Sequence, residues 1–244
     1  MRTRLLVLLG MFGASAVVHA QEVPLPQLLE GDKWVYNVKI EQPPQGSTSR
    51  KWESSVVRAS SSSVVIARKP ADSNLPAQES AMAPDWSRSA SVNGKSTTTV
   101  KNFDFPLQVG KKWEVAFTEE KPNDKLKLVK RTFLYKVIGW EEVKVTAGTF
   151  KALKIEADGD LYNEFLPTNI VAGSRIEAGA SGSSVTVQSR NPTTPGPATG
   201  KYYKAIWYAP EVKREVKSVE ETFSSGGSLS NRTTAELDSY QVQR

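Results

Sequence analysis

The chain has 244 residues, with 32 Lys and Arg against 26 Asp and Glu, no Cys and a single His. Without Cys there are no disulfides, thiolate metal sites or lipidated cysteines, and the one histidine, His19, falls within a leader. Ser-His-Asp and Cys-His nucleophile systems are therefore excluded beyond the leader, as are zinc, copper and iron sites built on imidazole or thiolate.

The N-terminus reads "MRTRLLVLLGMFGASAVVHAQE": Arg2 and Arg4, an apolar run over 5–18, then the small-residue end Val18-His19-Ala20. That is the order of a cleaved secretory signal over residues 1–20, too short in its apolar run to span a bilayer. The mature chain is expected to begin near Gln21 and to be soluble in the periplasm of a Gram-negative envelope, with secretion as the alternative. Its net charge drops from +6 to +4, with 30 basic residues against 26 acidic ones. This modest basic excess reads as a solvated surface.

Strand signals dominate the rest. Over 34–40 the alternation puts Trp34, Tyr36, Val38 and Ile40 on one face. Similar runs lie at 52–59, 63–68, 96–103, 113–119, 125–139, 141–145, 150–157, 202–208, 213–221 and 233–242. No window holds a helical period, although 26–30 would accommodate one turn. The expected fold is all-β, a mostly antiparallel curved sheet or half-barrel over 21–244. It divides into two similar β-meanders, 21–105 and 106–244, with Pro-, Gly- and Ser-rich loop insertions near 69–95 and 167–201. Within the second insertion, 184–189 reads as a short strand.

The two meanders are suggested by an echo. "LLEGDKWVYNV" and "PLQVGKKWEVAF" both place Gly, two residues, then a strand-heading Trp: Gly31 with Trp34, and Gly110 with Trp113. The Gly allows φ > 0 in the turn, and the Trp caps the end of a sheet core.

"KLKLVKR" over 125–131 alternates Lys125 and Lys127 with Leu126 and Leu128, a half-buried strand with a basic outer face. In "VTAGTFKALKIEADGD", Gly148 is the φ > 0 position of a hairpin turn and Phe150 a core anchor. Leu153, Ile155 and Ala157 then share the inward face. Asp158-Gly159 reads as a further hairpin turn. The acids Glu156, Asp158, Asp160 and Glu164 lack the spaced ligands of a calcium loop, so no metal or cofactor is expected. Pro210 breaks a strand. Val212 and Val216 resume the core pattern beyond it, with Lys213, Glu215 and Lys217 opposite. Trp207-Tyr208 ends that strand at a bend, where an aromatic lines the mouth of a cavity. With Trp140, these are the candidate ligand-binding residues.

The residues Gly110, Trp113, Ala147, Gly148, Thr149, Phe150, Ala152, Trp207, Tyr208, Ala209, Pro210 and Val212 carry a resemblance. The pattern Gly-x-x-Trp, Ala-Gly-Thr-Phe-x-Ala, Trp-Tyr-Ala-Pro-x-Val resembles a group of exported bacterial β-sheet proteins of unknown function. The resemblance covers roughly 106–221 and implies an envelope protein similar to the curved half-barrels of lipoprotein carriers. It implies no catalytic residues.

Three functions follow in order. The first is a non-catalytic protein binding an apolar or amphiphilic ligand, such as a lipid, or an envelope protein or polysaccharide, on the concave sheet face. The second is a structural or interaction module of an envelope assembly. The third is a carboxylate-dependent enzyme acting on glycan. Neither nucleic-acid binding nor a membrane span is expected.

Overall fold

Alternating apolar residues set the strands, and antiparallel pairing joins most of them into one sheet. The computed structural model describes residues 22–178, 183–193 and 195–243. In chain order the strands are β1 (Lys33–Gln42), β2 (Gly46–Ala59), β3 (Val64–Pro70), β4 (Gln78–Met82), β5 (Arg88–Val92), β6 (Lys95–Val100) and β7 (Lys112–Asn123). They continue as β8 (Leu126–Val145), β9 (Gly148–Phe165), β10 (Thr168–Ala178), β11 (Ser183–Thr193), β12 (Ala198–Ala209), β13 (Arg214–Ser224) and β14 (Leu229–Gln241). One 3-10 turn, Pro210–Val212, separates β12 from β13.

Ten strands form a sheet in the order β4-β3-β2-β1-β14-β13-β12-β9-β8-β7, curved but not closed. The pairs β5–β6 and β10–β11 stand as separate two-stranded sheets. β1 lies against β14 from Lys33↔Gln241 to Glu41↔Arg232, so strands from early and late in the chain share one sheet. No helix among the described residues is long and apolar enough to cross a membrane.

The register defines an inner face. One row runs Val137, Ile155, Ile206, Ser218, Ala235, Val38 across six strands, and its first three members are fully buried. Curvature toward this face lets β1 side chains reach past β14. The Tyr36 hydroxyl donates to the Glu215 carbonyl at 2.6 Å, and Trp34 Nε1 donates to the Val212 carbonyl at 2.9 Å. A bulge between Val137 and Gly139 adds to the twist of the β8–β9 hairpin. Toward its tip, burial passes to the other face, at Val143, Val145, Phe150 and Ala152. There the Ala147 N–H donates to the Leu237 carbonyl at 3.1 Å and Phe150 meets Tyr240 edge-on.

One end of the inner face is closed. Val23 and Leu107 exchange backbone hydrogen bonds at 2.8 Å, laying the N-terminal segment beside the 101–107 loop. Phe103 and Leu107 from that loop are buried, and Trp86 packs edge-on against Trp34 at 5.4 Å.

The two Gly-x-x-Trp turns share one backbone pattern. Gly31 and Gly110 sit at φ 89° and 86°, where a Cβ would be strained. Gly31 N–H donates to Val56 O and Gly110 N–H to Val137 O, both at 2.9 Å. Behind them, Asp32 N–H reaches Leu29 O and Lys111 N–H reaches Gln108 O, both at 3.0 Å.

The structure departs from the sequence reading at three places. The stretch 69–95 carries β4 and β5, and 167–201 carries β10 and β11, paired from Thr168↔Thr193 to Ala178↔Ser183. The separate runs 125–139 and 141–145 are one strand, because β8 runs through Trp140 to Val145. Asp158-Gly159 is not a turn. It lies mid-strand in β9, where Gly159 pairs with Phe133 on one side and Tyr202 on the other. Those two rings meet at 4.7 Å, and a Cβ on Gly159 would come within 2.6 Å of the Phe133 ring. Glycine is there because the Phe133 ring and the Thr132 carbonyl occupy its side-chain space.

Candidate functional site

Away from the closed end, the inner face is only half-buried. Phe133 of β8, Gly159 of β9 and Tyr202 of β12 form one cross-strand row, with Tyr135 and Ala157 in the next. Trp113 of β7 stacks flat on Tyr135, centroids 5.1 Å apart and planes 4° apart. The Trp113 indole N–H is taken by the Lys101 carbonyl at 2.9 Å, which fixes the ring's direction. Alternation along the strands produces this arrangement: every second side chain of β7, β8 and β12 reaches the same surface.

Charges stand beside the rings. Lys204 Nζ lies 3.0 Å from Glu220 Oε2, the lysine largely buried and the glutamate 41% exposed. Tyr202 lies within reach of the charge of the same carboxylate. Burial, and then the charge of Glu220, pushes the phenols of Tyr202 and Tyr135 well above their ordinary range, so both remain neutral donors. Arg131 closes the row. Its guanidinium donates to the Tyr162 carbonyl at 2.9 Å and to Asn163 Oδ1 at 2.8 Å, and burial lowers its pKa. The result is a trough with aromatic walls, one ion pair and neutral hydroxyls.

Two clefts lie at the closed end, on either side of Leu25. One, of about 720 Å³, is lined by Leu25, Leu28, Ala59, Val64 and Pro84. The other, of about 570 Å³, is lined by Leu25, Ala83, Lys101, Asp104 and Phe105. Both fall within the size range of small-molecule pockets. In the second cleft the charged groups are engaged: Asp104 pairs with Lys101 at 2.5 Å and with Lys111 at 2.9 Å, and Asp85 accepts from Ser87 N–H at 2.9 Å. The two lysine contacts hold the Asp104 carboxyl below the usual range although burial acts the other way.

The candidate ligand-binding residues named from the sequence do not converge. Tyr208 is fully buried, edge-on to Phe103 at 5.1 Å and to Phe105 at 5.4 Å. Trp207 points to the opposite side of β12, where its Nε1 donates to Glu141 Oε2 at 2.7 Å. Lys154 and Lys217 lie over its ring at 5.5 and 6.0 Å. Trp140 is covered by Lys151 at 5.2 Å. None of the three lines either cleft. Of the motif residues, Trp34 and Phe150 are buried, Gly148 has φ 141°, and Pro210 opens the 3-10 turn whose last residue, Val212, is fully buried. The trough residues Phe133, Tyr135 and Tyr202 were missed as a group because Tyr202, on β12, lies far in sequence from the other two on β8. The apolar–polar alternation of 125–139 was the one signal available.

No group of three or more acidic or imidazole side chains that would hold a metal ion occurs among the described residues. No protein-family model matches the chain, and neither does any curated protein. Two solved structures are similar to it at a low level. A Bacteroides fragilis protein described as exported, with a YmcC-like fold, aligns at TM-score 0.42 and 14% identity, over 91% of this chain and 99% of that one. A Parabacteroides distasonis protein described as a lipoprotein aligns at TM-score 0.43 and 13% identity, over 90% of this chain and 99% of that one.

Proposed function

We propose that this chain is an exported, non-catalytic envelope protein that binds an amphiphilic molecule in the open half of its concave sheet face. The observation that carries the reading is the Phe133–Tyr202 contact at 4.7 Å beside the Lys204–Glu220 pair on the inner face. Half-buried rings gain by covering an acyl or other apolar chain, at roughly 25 cal/mol per Å² of apolar surface removed from water. The neighbouring ion pair and neutral phenols orient a polar head. The leader over residues 1–20 supports export; it lies outside the described residues. The lack of His and Cys beyond it supports binding without chemistry.

The test is native mass spectrometry of protein purified from the periplasm, followed by solvent extraction. A near-stoichiometric amphiphile is expected to co-purify, and Phe133→Ala with Tyr202→Ala to reduce its occupancy several-fold while the β-sheet circular dichroism is kept. Protein free of any co-purifying amphiphile, and unable to take up a fluorescent fatty acid, would sink the proposal and leave the interaction-module reading.

A further inference from the structure

A second cluster on the inner face is built from cations. Arg214, the first residue of β13, places its guanidinium carbon 4.6 Å from the Trp86 ring centroid, 5.3 Å from Tyr36 and 5.5 Å from Trp34. These rings are fixed. Trp34 and Trp86 donate their indole N–H groups to the carbonyls of Val212 and Lys213, and the Tyr36 hydroxyl is bound to Glu215 O. Tyr36 pairs across the strands with Trp52, and Trp52 lies under the Arg68 guanidinium at 4.5 Å. Arg88 heads β5, two residues after Trp86. Arg214 and Arg68 thus lie over one aromatic floor, Arg214 largely enclosed and Arg68 exposed, and the exposed Arg88 stands near enough for its charge to act on Arg68.

The balance of charge in this cluster is incomplete. Glu215 is the carboxylate set against it, and it meets Arg214 only through a 3.4 Å contact at Nε. Nη1 of Arg214 is buried without a hydrogen-bond partner. Arg68 is exposed as a residue but lays its guanidinium on Trp52, and it is disfavoured as a cation first by that partial burial, then by the charges of Arg214 and Arg88. Guanidiniums crowded over rings, with an unused N–H inside, are what an oxyanion would neutralise. The planar donor forks of arginine match its oxygens.

We infer that Arg68, Arg88 and Arg214 form an anion-binding site over Trp34, Tyr36 and Trp86, shaped for a phosphate group. The phosphate would be either free or carried on a lipid or other envelope molecule. Three guanidiniums against one carboxylate favour a doubly charged group over a single carboxylate. The site does not depend on the trough: it uses different residues and requires no apolar chain.

Tryptophan fluorescence reads the site directly, because Trp34, Trp52 and Trp86 form its floor and rim. The full chain is titrated with inorganic phosphate, and separately with short-chain phosphatidic acid below its micelle concentration. Ionic strength is held constant with potassium chloride. Saturable binding is expected, and Arg68→Gln and Arg88→Gln should each weaken it about tenfold, the scale of a lost charge-assisted contact. Both side chains are exposed, so the variants should keep the wild-type circular dichroism. Arg214→Lys keeps the charge but loses the fork, and should weaken binding less than Arg214→Gln. Equal affinity for the two probes identifies free phosphate, and tighter binding of phosphatidic acid identifies a lipid-borne one. Absence of saturation with either probe, or unchanged affinity in folded Arg68→Gln and Arg88→Gln, overturns the inference. Loss of amphiphile binding in Phe133→Ala with phosphate binding intact would separate the two sites.

Discussion

Asp32 shows how much one side chain holds. Its carboxylate is fully buried and accepts from Leu29 N–H at 3.0 Å, Gln243 N–H at 2.7 Å and Lys213 Nζ at 2.9 Å. One residue thereby ties the turn before β1, the C-terminal tail and the bend after the 3-10 turn. The matching position of the second Gly-x-x-Trp turn is Lys111, so this device belongs to the first turn alone. Asp32→Asn keeps an acceptor but leaves the Lys213 ammonium, 14% exposed, without its counter-charge. Breaking a buried pair this way costs about 3–5 kcal/mol, and the retained acceptor puts Asp32→Asn at the low end. Lys213→Met should cost less, because Asp32 keeps two backbone donors. Urea denaturation of both variants checks the order, and a larger loss in Lys213→Met would contradict it. None of this was legible in "LLEGDKW", where the glycine and tryptophan announce a turn but nothing reports that the tail returns to the aspartate.

At the scale of elements, legibility followed local pattern. Trp34 and Tyr36, and Leu153, Ile155 and Ala157, alternate within one strand, and each of these side chains is buried. The 167–201 stretch offered such a pattern only over 184–189, which lies within β11. It is rich in Gly, Ser and Thr, and its strands are defined by pairing with each other, Thr168↔Thr193 onward, in continuation of β9 against β12. Asp158-Gly159 failed for the complementary reason: its local chemistry favours a turn, and cross-strand aromatics override it. The trough and the arginine cluster were illegible because strands far apart in the chain bring their members together. Since β10–β11 lies outside the ten-stranded order, replacing 168–193 by Asn-Gly should leave the sheet intact. The expected result is unchanged β-sheet circular dichroism and a Tm within a few degrees of wild type. A collapse in Tm would mean that the hairpin contributes to the main core.

For the whole molecule, the buried phenols set an alkaline limit. Tyr36, Tyr135, Tyr202 and Tyr208 all have pKa values raised above the ordinary 10.0, in each case first by burial and then by the charge of Glu215 or Glu220. A raised folded pKa means that above pH 10 the unfolded chain releases protons which the folded chain retains. The stabilisation is complete below about pH 10 and is lost progressively as pH climbs above it. Each such phenol contributes a slope of about 1.4 kcal/mol per pH unit in that window. Four acting together would exhaust a stability of roughly 5–15 kcal/mol within about one to three pH units. Unfolding should therefore be cooperative, with the phenolate absorbance of these four rising together with the loss of near-ultraviolet circular dichroism. Tyr202→Phe keeps the ring against Phe133 but removes the titrating hydroxyl, so it should flatten the pH dependence by about one quarter of the slope. Were all the tyrosines to titrate near pH 10 with the circular dichroism unchanged, the inner face would be open to water along its length. The aromatic trough would then lose the burial on which its neutral donors depend.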